Sequence, residues 1–152
     1  MAYAVPQLLQ MSYADLDTLF SASPPGDIPN GPAQGTAIVA SGTVFNPEIA
    51  EFISFFCWQG KTFDGPHGVL RNRILPFGLS AIVAEVYLAP SLLDNKECIV
   101  LDYSKTSEVA QWVRDEIRLI GPGFYLGRVY WSGKALIHFC LQFGAAAVPA
   151  PS

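Results

Sequence analysis

The residues best placed to do chemistry are ionisable side chains set in apolar surroundings. Glu85 is the single charge between Ile74 and Leu93. In the run LSAIVAEVYLA it shares a strand face with Val83 and Tyr87, opposite the apolar row Ile82, Ala84, Val86 and Leu88. Such a carboxylate either points into water or points inward, where burial raises its pKa toward the range useful to an acid or base. His138 is one of 2 histidines. It titrates near neutrality and is a candidate proton shuttle, against the alternative of a strand histidine bonded to a neighbour or to water. Tyr103, in step with Ile99 and Leu101, is core or pocket wall, and its hydroxyl needs a partner if buried. Arg71 and Arg73 share one face of VLRNRIL. They are either solvated or turned inward, where Arg73 could grip a substrate carboxylate or enolate by two parallel hydrogen bonds.

A coherent set follows from these choices. Glu85 or His138 moves a proton, Tyr87 and Tyr103 donate hydrogen bonds to a developing oxyanion, and Arg73 fixes the acidic end of a substrate. Trp58, Phe63, Trp112, Tyr125 and Tyr130 would shape the pocket. Asp102 lies just before a turn, where an acidic group accepts backbone N–H bonds. In WVRDEIR, the charges Arg114, Asp115 and Arg118 alternate in sign as on an exposed helix face. Glu116 shares the stripe of Trp112 and Val113, either as a lid group or as a clamp.

Composition bounds what these residues can act on. The chain has 152 residues, enough for one domain with a sizeable core, expected to span 1–152 with a frayed tail from about residue 144. Apolar residues make up 51% and charged ones 14%, against the ~25% charge usual in soluble domains, so apolar side chains are in surplus for a cavity or an interface. A net charge of −4 without a basic run argues against nucleic acid or an anionic membrane as partner. A hydrophobic small molecule fits better, and a homodimer stays open. The 3 cysteines, Cys57, Cys98 and Cys140, are widely spaced and read as buried thiols in a reducing compartment, with neither a disulfide framework nor a zinc site. No serine-nucleophile elbow, P-loop, dinucleotide fingerprint or zinc-protease helix occurs, so neither cofactor nor metal is expected. The first twenty residues lack a basic leader and no segment reaches the ~18 apolar residues of a membrane span, so the cytoplasm is expected.

The elements that must position these groups are mostly strands. Ser12 caps a helix whose apolar face is Leu16, Leu19 and Phe20, and the Pro- and Gly-rich run SPPGDIPNGPAQG reads as a linker. TAIVAS is the first strand, and Asn46-Pro47 opens a helix over FNPEIAEFISFFCW. WQGKTFD and GVLRNRIL form a hairpin through GPHG. LSAIVAEVYLA and Cys98 to Tyr103 are the next strands. A third helix is expected from Thr106 or Ser107, with Val109, Trp112, Val113, Glu116 and Ile117 in helical register. GFYLGRVYW and KALIHFCLQF close the chain as a hairpin about Ser132-Gly133. About seven strands with aromatic faces and no βαβ alternation predict an α+β fold: an antiparallel, lipocalin-like β-barrel with two to three helices at its ends. The alternative is an open cone-shaped sheet with helices on one face.

The series WQGKTFD, GVLRNR, a Pro-Ser and Asp-Asn turn, LDYS, RDEIR and PGFYLG resembles a set of small proteins with a lipocalin-like, calycin-type barrel and no assigned reaction. The likeness runs from Trp58 to Val129. It implies the barrel and transfers no catalytic role. By analogy of fold, such barrels either carry apolar ligands or act as cofactor-free decarboxylases and cyclases. The expected function is therefore a cofactor-free lyase or isomerase, a decarboxylase, dehydratase or cyclase, acting in biosynthesis on an aromatic or polyketide-like substrate. The alternative is a carrier barrel for a hydrophobic molecule.

Overall fold

Eight antiparallel strands close into a barrel in which each strand pairs with its neighbours in sequence and β8 returns to β1. The computed structural model describes residues 3–39, 47, 50, 61–72, 81–105 and 111–144. The strands are β1 (Gly31–Ile38), β2 (Lys61–Asp64), β3 (Val69–Asn72), β4 (Ala81–Pro90), β5 (Glu97–Asp102), β6 (Val113–Gly121), β7 (Phe124–Trp131) and β8 (Lys134–Phe143). Closure leaves no full edge strand to template pairing with another chain. The open-sheet alternative is thereby set aside.

Side-chain alternation divides the barrel into an inner and an outer set. The inner set carries Phe63, Leu70, Ala84, Val86, Ile99, Leu101, Tyr103, Val113, Ile117, Tyr125, Val129, Ile137, Phe139, Leu141 and Phe143 as one apolar cluster. A second cluster lies on the outside, where Cys98, Val100, Phe124, Leu126 and Cys140 meet Leu8, Leu16 and Phe20. Those last three belong to helices α1 (Val5–Leu9) and α2 (Tyr13–Ala22). The helices therefore lie along the outer wall rather than across a barrel end. The Ser12 hydroxyl accepts from the Asp15 N–H and starts α2 as its sequence requires.

The third helix, expected from Thr106 or Ser107, is corrected over its second half; residues 106–110 lie outside the described residues. Residues 113–121 are a strand, β6, hydrogen-bonded to β5 and β7. Val113, Asp115, Ile117 and Leu119 alternate with Arg114, Glu116, Arg118 and Ile120, and a strand in that place closes the barrel. Charge on both sets concealed the period of two. The first strand also begins earlier than TAIVAS, at Gly31, because its Pro and Gly are tolerated where β1 meets only the short β2. Of the helix expected over FNPEIAEFISFFCW, only Pro47 and Ala50 are among the described residues, and both are helical. The two hairpins stand as expected. β2 and β3 join through a 3-10 turn at Gly65–His67, and β7 and β8 through Ser132 and Gly133, whose φ of 49° and 82° suit the tight turn of a twisted hairpin.

One barrel end is crossed by the chain between α2 and β1. The Leu119 N–H donates to the Pro24 carbonyl, the Tyr125 hydroxyl to the Asp27 carbonyl at 2.7 Å, and the Gly65 N–H to the Asn30 side chain. Ile28 packs on the inner cluster there.

Candidate functional site

Among the described residues inside the barrel, the polar group that stands out is Asp115. It is 0% exposed, although its neighbours on the inner set are apolar. β6 places it opposite Leu101 on β5 and Val129 on β7, one step inward from the end where Val113 meets Trp131. The Tyr103 hydroxyl donates to Asp115 Oδ2 at 3.1 Å. Burial, reinforced by the adjacent carboxylate, pushes the Tyr103 phenol well above its ordinary pKa. Tyr103 is thus a neutral donor throughout the physiological range, held against an acid–base group in a low-dielectric interior.

On the outer wall a different set converges beneath α2. His138 Nε2 lies 2.6 Å from Asp17 Oδ1, and Arg128 Nε lies 3.0 Å from the same oxygen. The Arg128 approach is an ion pair without the alignment of a hydrogen bond. Arg128 also donates to the Tyr130 hydroxyl, and its guanidinium lies over the Tyr130 ring. The Tyr13 ring packs 4.8 Å from the imidazole. His138 Nδ1 is buried without a hydrogen-bond partner. Burial holds the His138 pKa below its ordinary value, outweighing the Asp17 carboxylate that pulls it the other way.

The residues singled out in the sequence fall into three places. Tyr103, Phe63 and Tyr125 face inward, and the last two bracket Phe143 edge to face at 5.1 and 5.5 Å. Glu85 and Tyr87 face outward: Glu85 is half-exposed with Lys105 Nζ 3.7 Å away, and Tyr87 donates to Asp102 Oδ2 at 2.6 Å. His138 and Tyr130 belong to the outer wall below α2, and Trp112 is 58% exposed where β6 begins. Arg73 and Trp58 lie outside the described residues. The structure therefore does not bring Tyr103, His138 and Glu85 together, because β-alternation sends Tyr103 inward and the other two outward.

Asp115 and Asp17 were missed for different reasons. Asp115 sat in a segment read as helix, where it belonged to a solvated face. Reading Val113, Asp115, Ile117 and Leu119 at a period of two would have marked a lone carboxylate on an apolar row. Asp17 has no local signal, since its partner is 121 residues away. Among the described residues, no group of three or more His, Cys, Asp or Glu side chains could hold a metal ion.

No protein-family model matches the sequence, and no curated protein matches it either. A crystal structure of a protein from Thermomonospora curvata is similar, with a TM-score of 0.60 and 17% identity over 88% of each chain. The likeness is one of fold. It agrees with the closed barrel and says nothing of the groups inside it.

The remaining charged residues of β6 are accounted for by structure. Glu116 accepts from the Ser91 hydroxyl at 2.6 Å and the Leu92 N–H at 2.9 Å, and pairs with Arg114 at 3.0 Å. Arg118 makes two 2.7 Å bonds to Asp94 and donates to the carbonyls of Phe20, Lys96 and Glu97. These contacts fasten the β4–β5 loop and the end of α2 to the wall. Glu116 is therefore a clamp and points away from the barrel interior. Asp102 accepts from the N–H and hydroxyl of Ser104, as a turn-forming acid does, with no helix following in the described residues.

Proposed function

We propose that the barrel takes up a small, mostly apolar molecule and that Asp115 and Tyr103 move a proton on it, a cofactor-free lyase or isomerase chemistry. The observation that supports this reading is a fully buried carboxylate on an apolar inner row with the Tyr103 hydroxyl bonded to it. In that setting Asp115 takes a proton from a carbon beside a carbonyl. Tyr103, neutral and pre-aimed, donates to the oxygen on which negative charge develops. The apolar wall excludes water and strengthens both interactions.

The test is exchange of deuterium from the α-carbon of labelled aryl ketones, followed by NMR. Asp115→Asn should retain ligand-induced change in tryptophan fluorescence while exchange falls by about 10²–10⁴-fold. Tyr103→Phe should lose less. Unchanged exchange in Asp115→Asn would sink the assignment. A carrier barrel is the second reading, favoured by the outward placement of Glu85, Tyr87 and His138, which leaves few polar groups inside among the described residues. It would give binding by the native protein with no exchange at all.

A further inference from the structure

One row of the outer wall is polar at its middle and apolar at its ends. Across the paired strands it runs Val100, Glu116, Arg128, His138 and Ile38, from β5 through β8 to β1, and every member is buried. Glu116 is matched by Arg114, Ser91 and Leu92. Arg128 and His138 instead share a carboxylate brought by α2, that of the half-buried Asp17. The row depends on the helix for its charge balance, and the helix depends on the row for polar anchorage midway along its length.

With the imidazole neutral, the charges under α2 cancel: Arg114 with Glu116, and Arg128 with Asp17. The other titratable groups around the ring are the Tyr13 phenol of α2, the Tyr130 phenol of β7 and the Cys140 thiol of β8, while α1 and the facing Ile38 of β1 bring no charge. A proton on His138 leaves one positive charge in excess beside Arg128, and gives Nδ1 a hydrogen that no buried acceptor meets. With α2 lifted, water meets both demands. Protonation thus favours the lifted helix. The covered imidazole accordingly holds a pKa below its ordinary 6.5. Attachment is therefore complete above about 6.5 and is lost as pH falls from there through the lower value.

The far end of α2 is held differently. Arg118 donates to the Phe20 carbonyl at 2.9 Å and pairs with Asp94 at 2.7 Å, and that pairing keeps Arg118 charged and Asp94 ionised throughout this pH range. Cys98 lies close enough to Arg118 and Asp94 to feel both charges, whereas Cys140 is two residues from His138 on the same face of β8. One thiol therefore marks each end of the helix. We propose that Asp17 is an acid-released latch: below neutral pH, α1 and the first turns of α2 leave the outer wall, Arg118 keeps Phe20 attached, and the barrel stays closed. The movement uncovers Cys140 and Leu126, its partner on β7, beside Arg128 and His138.

Thiol labelling located by peptide mass spectrometry tests this. In a Cys57→Ser chain, each cysteine is labelled with a dipyridyl disulfide, which reacts down to acid pH. Dividing the rate by that of the urea-unfolded chain at the same pH gives its protection. Between pH 7 and 5, Cys140 should lose about tenfold of its protection or more, the effect of one buried donor without an acceptor. Over the same range Cys98 should change far less and the β-sheet circular dichroism should hold. His138→Gln should flatten the Cys140 profile, and Asp17→Asn should lower Cys140 protection already at pH 8. If His138→Gln does not fold, Asp17→Asn and the contrast between the two thiols carry the test. Cys140 protection that ignores pH, or that falls in step with the sheet signal, overturns the latch. Cys98 falling together with Cys140 overturns the Arg118 hinge, and an unchanged profile in His138→Gln overturns the assignment to His138.

Discussion

His138 is a titratable group whose two ring nitrogens have unequal surroundings. Nε2 meets Asp17, while Nδ1 is buried with no acceptor, and Arg128 stands beside the ring. The neutral ring donates from Nε2 and leaves Nδ1 bare. Protonation adds a buried N–H that nothing accepts and a second positive charge near Arg128. The folded-state pKa therefore falls below the ordinary 6.5, so between those values the unfolded chain binds more protons. This contribution to stability is fully present above about 6.5 and is lost as pH falls from there through the folded pKa. Urea midpoints measured from pH 8 down to 5 should drop over that window. His138→Gln, which keeps a donor for Asp17 but does not titrate, should remove this part of the decline. Equal slopes in the two proteins would show that His138 does not carry it. The sequence identified His138 as a titrating residue but not which side of the wall it faces, nor Asp17 as its partner. A contact spanning α2 and β8 leaves no trace in either segment alone.

At the scale of elements, β6 is instructive because its outer face is as charged as a solvent-facing surface yet is covered. Arg118 is fully buried, with Asp94 and three backbone carbonyls meeting its five N–H donors and the Phe20 ring 4.5 Å from the guanidinium. The Arg118 guanidinium also holds the Asp94 carboxyl well below the usual carboxylate range. Removing one partner of a buried pair strands the other charge. Asp94→Ala should cost ~3–5 kcal/mol in unfolding free energy. Asp94→Leu combined with Arg118→Met should cost less than Asp94→Ala alone, since neither charge is then left buried. A double variant no more stable than the single one would mean that the loop depends on the ion pair itself. This covered, charged face is also why β6 resembled an exposed helix in the sequence. β7 and β8 were legible because their turn is specified by two adjacent residues and their inner rows are almost wholly apolar. β1 was half legible, since a strand made of Gly, Pro and Ala has little pattern to read.

For the whole molecule, closure of the barrel and the covering of its wall are separable. The barrel is held by eight strand pairings, whereas α1 and α2 attach through one apolar cluster and a few polar contacts. The barrel class was readable from the number of strands and the aromatic surplus. The use of the surplus to seat helices on the outside was not, because on β5 the outer row, Cys98 and Val100, is as apolar as the inner one, Ile99 and Leu101. Cys98 and Cys140 lie in that outer cluster and report on it. Burial pushes the Cys98 thiol up to about 12 and the Cys140 thiol up to about 11. At pH 8 both are shielded and almost entirely protonated. In a Cys57→Ser background, Leu16→Ala with Phe20→Ala should weaken the helical layer by several kcal/mol, at ~2–5 for each truncation. Labelling proceeds through transient opening that exposes each thiol, so its rate follows the opening equilibrium of the helical layer. Labelling by a thiol reagent should therefore accelerate by about 10²-fold or more while the β-sheet circular dichroism is retained, as a layer that opens on its own requires. Labelling that speeds up only in step with loss of the sheet signal would mean that helices and barrel unfold as one unit.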